Sequence, residues 1–170
     1  VGIGPNNPPS HNWWPGLPLR NRMFTFRICN PCQVPANILC LRLKASGTGN
    51  DLNDIMAVRI INDLNCNGVV DPGEPPYGAV GPYSADNGTF TTMPIGGSFI
   101  IPAGGCKCFI VEYIMKNWPM PPPPLGATYC MTLTGVCAVT TTSPSTPICV
   151  KGLPLKSNCK KRCIKIGQAT

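Results

Sequence analysis

Twelve consecutive residues, from Asp63 to Glu74, match the pattern D-x-[DN]-x-[DN]-G-x5-E at every specified position. Calcium takes roughly six to eight hard oxygen ligands, and this spacing can supply them. Asp63, Asn65 and Asn67 offer alternate side-chain oxygens, and Gly68 makes the sharp turn. Val69 offers its carbonyl, Asp71 acts directly or through water, and Glu74 can close the shell with two oxygens. The competing reading is a metal-free loop in which Asp63, Asn65 and Asn67 make Asx turns. The completeness of the motif favours calcium. The flanks differ from those of an EF-hand, because residues 55–62 read as a strand and Pro72, Pro75 and Pro76 forbid an exiting helix. Calcium is therefore expected to stiffen a turn between β elements.

The cysteines are the second chemical resource. There are 11 of them: Cys29, Cys32, Cys40, Cys66, Cys106, Cys108, Cys130, Cys137, Cys149, Cys159 and Cys163. An odd number leaves either a free thiol or a bridge to another chain. Cys29-x-x-Cys32 together with Cys106-x-Cys108 offers four thiolates to zinc, but the second pair is tighter than the usual knuckle. Covalent haem needs C-x-x-C-H, whereas Gln33 follows Cys32 and the single His is His11, so no haem is expected. Structural disulfides in an oxidising compartment are the preferred reading. Neighbours on one strand face do not readily bridge each other, so Cys106 and Cys108 should reach different partners, as should Cys159 and Cys163. The run 159–163 is a candidate for bridging between chains.

Other chemistry is thinly provided. His11 lies in a Pro-rich stretch, Glu74 is committed to the loop and Glu112 is one acid within a strand, so neither a triad nor a carboxylate pair is complete and no enzyme is expected. Lys151, Lys156, Lys160, Lys161, Arg162 and Lys165 gather near the end, yet no aromatic platform accompanies them, which argues against nucleic acid. Trp13, Trp14 and Trp118 beside prolines suit either the anchoring of an arm or stacking on sugar rings. Asn87-Gly88-Thr89 is a possible glycosylation sequon and equally a turn.

The elements that must position these groups follow from composition. In 170 residues, 21 Pro and 18 Gly interrupt any run long enough for a helix bundle, while 43% hydrophobic content allows a sizeable core. The chain carries 14 Lys+Arg against 7 Asp+Glu, for a formal charge of +7. Residues 1–22 have no period and read as an extended Pro-rich arm. β-type runs follow at 23–28, 38–45, 55–62, 89–93, 98–101, 107–115, 127–139, 146–151 and 159–166. Nine such runs predict an all-β sandwich, jelly-roll or immunoglobulin-like, over residues 23–158, with a basic, Cys-containing strand or tail over 159–170. Leu39, Leu41 and Leu43 alternate with Cys40, Arg42 and Lys44, so one face of that strand should be inward. Phe109-Ile110-Val111 is apolar on both faces and fits a central strand. No apolar run approaches the length of a membrane span. The chain starts at Val1, from which a cleaved secretory leader is expected.

The ordered series 45–51, 54–59, the 63–74 loop, 83–89 and 101–105 resembles a β-sandwich module of secreted bacterial and archaeal surface proteins, over roughly residues 38–158. The resemblance implies a non-enzymatic module of the kind found in extracellular filament and surface-layer subunits. An arm and tail of this composition gain order against a neighbour. The expectation is therefore a self-assembling extracellular subunit joined by strand or arm exchange, its partner being a second copy of itself. The segments 23–28 and 163–166, with Phe24, Phe26, Ile28, Ile164 and Ile166, are the candidate donors, and Trp13 and Trp14 the candidate anchors. The rival is a secreted, calcium-stabilised module that binds glycans or a cell surface.

Overall fold

The computed structural model describes residues 1–9, 12–13, 20–116, 124–142, 151–158 and 160–162, with the main chain alone at 12–13 and 160–162. Trp14, Trp118, Cys149, Cys159, Cys163, Ile164 and Ile166 lie outside these residues, as do the side chain of Trp13 and the run 146–150. The described chain forms β1 (Gly2–Ile3), β2 (Asn12–Trp13), β3 (Arg20–Cys29), β4 (Ala36–Gly47), a single helical turn α1 (Asp51–Asp54) and β5 (Ile55–Asp63). It continues as β6 (Thr89–Thr92), β7 (Ile100–Ile101), β8 (Cys106–Met115), β9 (Thr128–Thr140), β10 (Leu155–Lys156) and β11 (Lys160–Arg162).

Two sheets pack face to face. One has the order β1-β3-β8-β5, and the other β2-β11-β9-β4-β6, with β10 on β9 and β7 on β4. All pairs are antiparallel except β2 with β11. The chain crosses between sheets after β1, β2, β3, β4, β5, β7 and β8. The fold is thus the expected all-β sandwich.

The core between the sheets is aromatic. Phe26 stacks on Phe109 with centroids 4.9 Å apart, and Tyr77 meets the edge of Phe109 at 5.6 Å. Each such contact adds about 1 kcal/mol to the burial of the rings. Residues 109–111 are all fully buried at the centre of β8, as their two apolar faces predicted. The outer row Thr25, Ile110 and Ile61 is at most 1% exposed. At Thr25 the N-terminal segment covers it: the Thr25 hydroxyl donates to the Pro5 carbonyl at 2.8 Å, and Asn7 Oδ1 accepts from the Thr25 N–H at 3.0 Å.

In β4 the simple alternation breaks. Leu41 and Leu43 point inward, but Leu39 is exposed while Ile38 and Cys40 are buried. The pairing of β4 with β9 shifts register between Ile38 and Cys40. A bulge there adds a residue and inverts the phase of everything before it.

The two lateral sides of the sandwich are closed differently. On one side the internal segment 75–81 bridges the sheets, pairing Ile61 with Pro76, Val58 with Gly81, and Gly78 with Pro94. On the other, the closing strands are terminal ones, β1 on β3 and β2 beside β11. The N-terminal segment and residues 151–158 also hold each other: the Val1 ammonium donates to the Lys151 carbonyl at 2.9 Å, and Asn158 Nδ2 to the Pro8 carbonyl at 3.1 Å.

Candidate metal loop and acidic cluster

The 63–74 loop leaves the end of β5 and folds back on its own carboxylates. Asp63, 2% exposed, accepts from the Asn67 N–H through Oδ1 at 3.1 Å and from the Gly68 N–H through Oδ2 at 2.7 Å. Asn65 Oδ1 accepts from Asn67 N–H at 3.1 Å, and Asn67 Oδ1 from Val69 N–H at 2.6 Å. These two are the Asx turns anticipated for the residue types. Asp71 Oδ2 accepts from both amide side chains, Asn65 Nδ2 at 2.9 Å and Asn67 Nδ2 at 2.6 Å. Glu74 caps the far ends of the loop, taking the Leu64 N–H at 2.9 Å and the Asp71 N–H at 3.1 Å.

Three elements pin this loop from outside. Cys66 is bonded to Cys108 on β8, Arg22 of β3 donates to the Gly68 carbonyl, and Asn6 Nδ2 donates to the Asn67 carbonyl at 2.6 Å. Gly68 has φ of +73°, and a Cβ there would strike the Pro5 carbonyl, so the position admits glycine alone on two counts. With the Cys66 sulfur sequestered in a disulfide, the loop offers only oxygen donors. That donor set fits a hard cation such as calcium and disfavours zinc or copper. Among the described residues no three His, Cys, Asp or Glu side chains stand close enough to clasp one ion unaided. A cation in this loop would therefore also draw on the Asn65 and Asn67 amides and the Val69 carbonyl.

At the opposite end of β5 sits a second acidic group. Asp51 is fully buried at the start of α1, and its N–H donates to Asp86 Oδ1 at 3.0 Å. The Asn87 N–H returns the contact, reaching Asp51 Oδ2 at 3.3 Å. Asp54 Oδ2 accepts from the Asn50 N–H at 3.0 Å and from the Tyr129 hydroxyl at 2.6 Å. Burial, with the charges of Asp86 and Asp54 beside it, pushes the Asp51 carboxyl up to about 7. Burial also raises the Tyr83 and Tyr113 hydroxyls, which meet at 2.9 Å close by. Asn87 takes φ of +51°, so the sequon Asn forms the turn that carries Asp86 to Asp51. Residues 51 and 86 lie 35 apart in sequence, and a signal for their meeting was present only in the density of acids along 51–86.

The cysteine expectations are met where they can be read. Cys106 and Cys108 take different partners, Cys29 and Cys66. Cys40 bridges to Cys137 across β4 and β9, and Cys130 is also disulfide-bonded. Cys32 is exposed and unpaired among the described residues, so the Cys29-x-x-Cys32 pair forms neither a zinc half-site nor a bridge. The three disulfides that join described residues fit a protein of an oxidising environment. No helix in the described residues is long and apolar enough to cross a membrane.

Phe24, Phe26 and Ile28, expected as part of an exchangeable arm, lie in β3 between β1 and β8, and both Phe side chains are fully buried in the chain's own core. Trp13 lies in β2, paired in parallel with Arg162. No family model matches the chain, and no curated protein matches it.

Proposed function

We propose that the chain is a non-enzymatic structural subunit of an extracellular filament, in which terminal strands of one copy complete the sheets of the next. Disulfides and calcium in the 63–74 loop make the assembly durable. The observation that carries this reading is the asymmetry of the two lateral sides. One is closed by the internal segment 75–81, and the other by β1, β2 and β11 from the two ends of the chain. Terminal strands of two or three residues make few pairs with their own domain. The same pairs can form between copies at little enthalpic cost, which is the physics of strand exchange. A head-to-tail contact of this kind does not close on itself and so extends as a fibre. Near the β6 edge, Met93 and Ile95 are 68% and 65% exposed, giving the opposite side an apolar surface on which a neighbour can rest.

In the loop, calcium takes over from the N–H donors that Asn65 and Asn67 now turn toward Asp71. Rotating each amide exchanges its NH2 for its oxygen, so the same side chains serve either state.

The test is electron microscopy of the purified full chain beside a chain lacking residues 1–19, which keeps all of β3. Fibres from the full chain and a folded, non-polymerising deletion are expected. Fibres of normal abundance from the deletion, or a full chain that stays monomeric at every concentration, overturn the proposal. Melting of the full chain with and without chelator tests the calcium: an unchanged midpoint removes it from the reading.

A further inference from the structure

The two sheets present different outer faces. That of β3, β8 and β5 is covered: the N-terminal segment lies on Thr25, and Cys66 of the 63–74 loop is bonded to Cys108. That of β9 and β4 is open and basic. Lys156 of β10 stands opposite Thr132 of β9, Thr132 opposite Lys44 of β4, and Lys44 opposite Thr89 of β6, so one row crosses four strands. Two residues along β4, Arg42 stands opposite Thr91, its stem packed over Gly135, where a Cβ would meet Arg42 Cδ at 3.3 Å. Arg42, Lys44, Lys156, Thr89 and Thr91 are all exposed. Arg42 and Lys44 are about 7 Å apart along the strand, and Lys44 and Lys156 about 10 Å apart across β9.

Exposed cations are ordinary on a sheet face, because water solvates them. What singles out this face is that the chain has no free acid to set against it. All seven acids of the chain are among the described residues. Glu112 pairs with Arg59 at 2.9 Å on the other sheet, the one ion pair among the described residues. Asp63, Asp71 and Glu74 accept hydrogen bonds within their own loop, and Asp51, Asp54 and Asp86 accept theirs at the opposite end of β5. A second copy therefore brings no uncommitted acid to Arg42, Lys44 and Lys156, and the charge that complements them comes from a different molecule. No aromatic ring stands in the two rows, so unpaired bases find no stacking platform there. Ammonium and guanidinium groups interleaved with threonine hydroxyls suit a ligand that itself carries anionic groups among hydroxyls.

We propose that the outer face of β10, β9, β4 and β6 binds an acidic polysaccharide. Its sulfate or carboxylate groups lie against Arg42, Lys44 and Lys156, and its hydroxyls against Thr89, Thr91 and Thr132. An open sheet face suits an extended polymer, because weak contacts repeated along one ligand reinforce each other. The inference does not rest on filament assembly, since a single copy presents the whole face.

The experiment measures heparin binding by the full chain in calorimetry, beside neutral dextran. Binding of heparin that weakens steeply with added salt, and none of dextran, is expected. Arg42→Gln with Lys44→Gln should weaken heparin binding about tenfold or more. Arg20→Gln with Arg27→Gln removes the same charge from exposed positions of β3 and should leave binding within about twofold. Equal weakening by the two double variants leaves only the net charge of +7 as the cause and overturns the proposal. A wild-type chain that binds no heparin overturns it too. Tighter binding of double-stranded DNA or of phosphatidylglycerol vesicles than of heparin, lost with Arg42→Gln and Lys44→Gln, assigns the face to nucleic acid or lipid and also overturns it. Melting checks that each variant folds. Should the double variant fail to fold, Thr91→Glu is read in its place: it sets an acid opposite Arg42 at an exposed position and should weaken heparin binding, and an unchanged titration overturns the proposal.

Discussion

At its C-terminal end β5 runs into Asp63, whose two oxygens take N–H groups from Asn67 and Gly68. At its N-terminal end it follows Asp51, of which one oxygen takes Asn87 and the other takes nothing. Both ends carry three acids and both carboxylates are buried, yet only the first is satisfied by its own chain. The difference lies in how each group is built. The 63–74 loop is contiguous, so its backbone curls around the side chain that starts it. The cluster at Asp51 is assembled from segments 35 residues apart, each held by its own strand and unable to wrap the other. Local wrapping supplies donors, whereas long-range meeting supplies proximity and leaves one buried oxygen without a donor.

The comparison breaks most sharply under substitution by alanine. Asp63→Ala orphans two backbone donors and should destabilise the calcium-free protein by about 3 kcal/mol or more. Asp51→Ala, which loses one long hydrogen bond and relieves an unsatisfied buried charge, should change it by less than about 1 kcal/mol. Thermal melting in chelator measures both, and equal losses would erase the distinction. Next in size is Gly68→Ala. The left-handed backbone and the encounter with Pro5 should cost about 2 kcal/mol. The loss should appear as faster amide exchange at Gly4 and Thr25, where the N-terminal segment rests on β3. Tyr129→Phe removes the hydroxyl donor to Asp54 and should cost about 1 kcal/mol, with the loop's amide protection unchanged.

The pH dependence gives a further test. A carboxyl raised from 3.8 unfolded to about 7 folded binds its proton more tightly in the native state. Its contribution to the calcium-free protein is therefore complete below about 4 and is lost as pH climbs toward and through about 7. Asp51→Asn should flatten this slope, as measured by denaturant unfolding across pH in chelator. A slope that survives the substitution assigns it to another group.

Much of the framework could be read from residue patterns. The run at 55–62 corresponds to β5, that at 107–115 to β8 and that at 127–139 to β9, because β-branched and aromatic residues are bounded there by turn formers. The turn at 63–74 was legible because the Asp and Asn residues that hydrogen-bond it are local. What escaped was whatever depends on register or on distant contact. Leu39 reads as a core residue until the bulge beside Cys40 turns it outward, and nothing in a period of two announces a bulge. The partners of Cys106 and Cys108 could be separated by strand geometry but not identified. Asp51 and Asp86 meet because Asn87 adopts a left-handed turn and α1 brings Asp51 beneath it, a coincidence of tertiary placement.

The bond between Cys29 and Cys106 has a mechanical meaning. A pull on the chain can draw out residues up to Cys29, and from there two covalent routes lead to Cys137, one across the sulfurs to Cys106 and on along the backbone, the other along residues 29–40 and across the Cys40–Cys137 bond. Residues 41–105, roughly 200 Å of extended chain, lie off both routes and are shielded from the load. They include most of β4, all of β5 and both acidic groups. Under tension the molecule can lengthen at its ends while the parts that hold its charge together stay at rest.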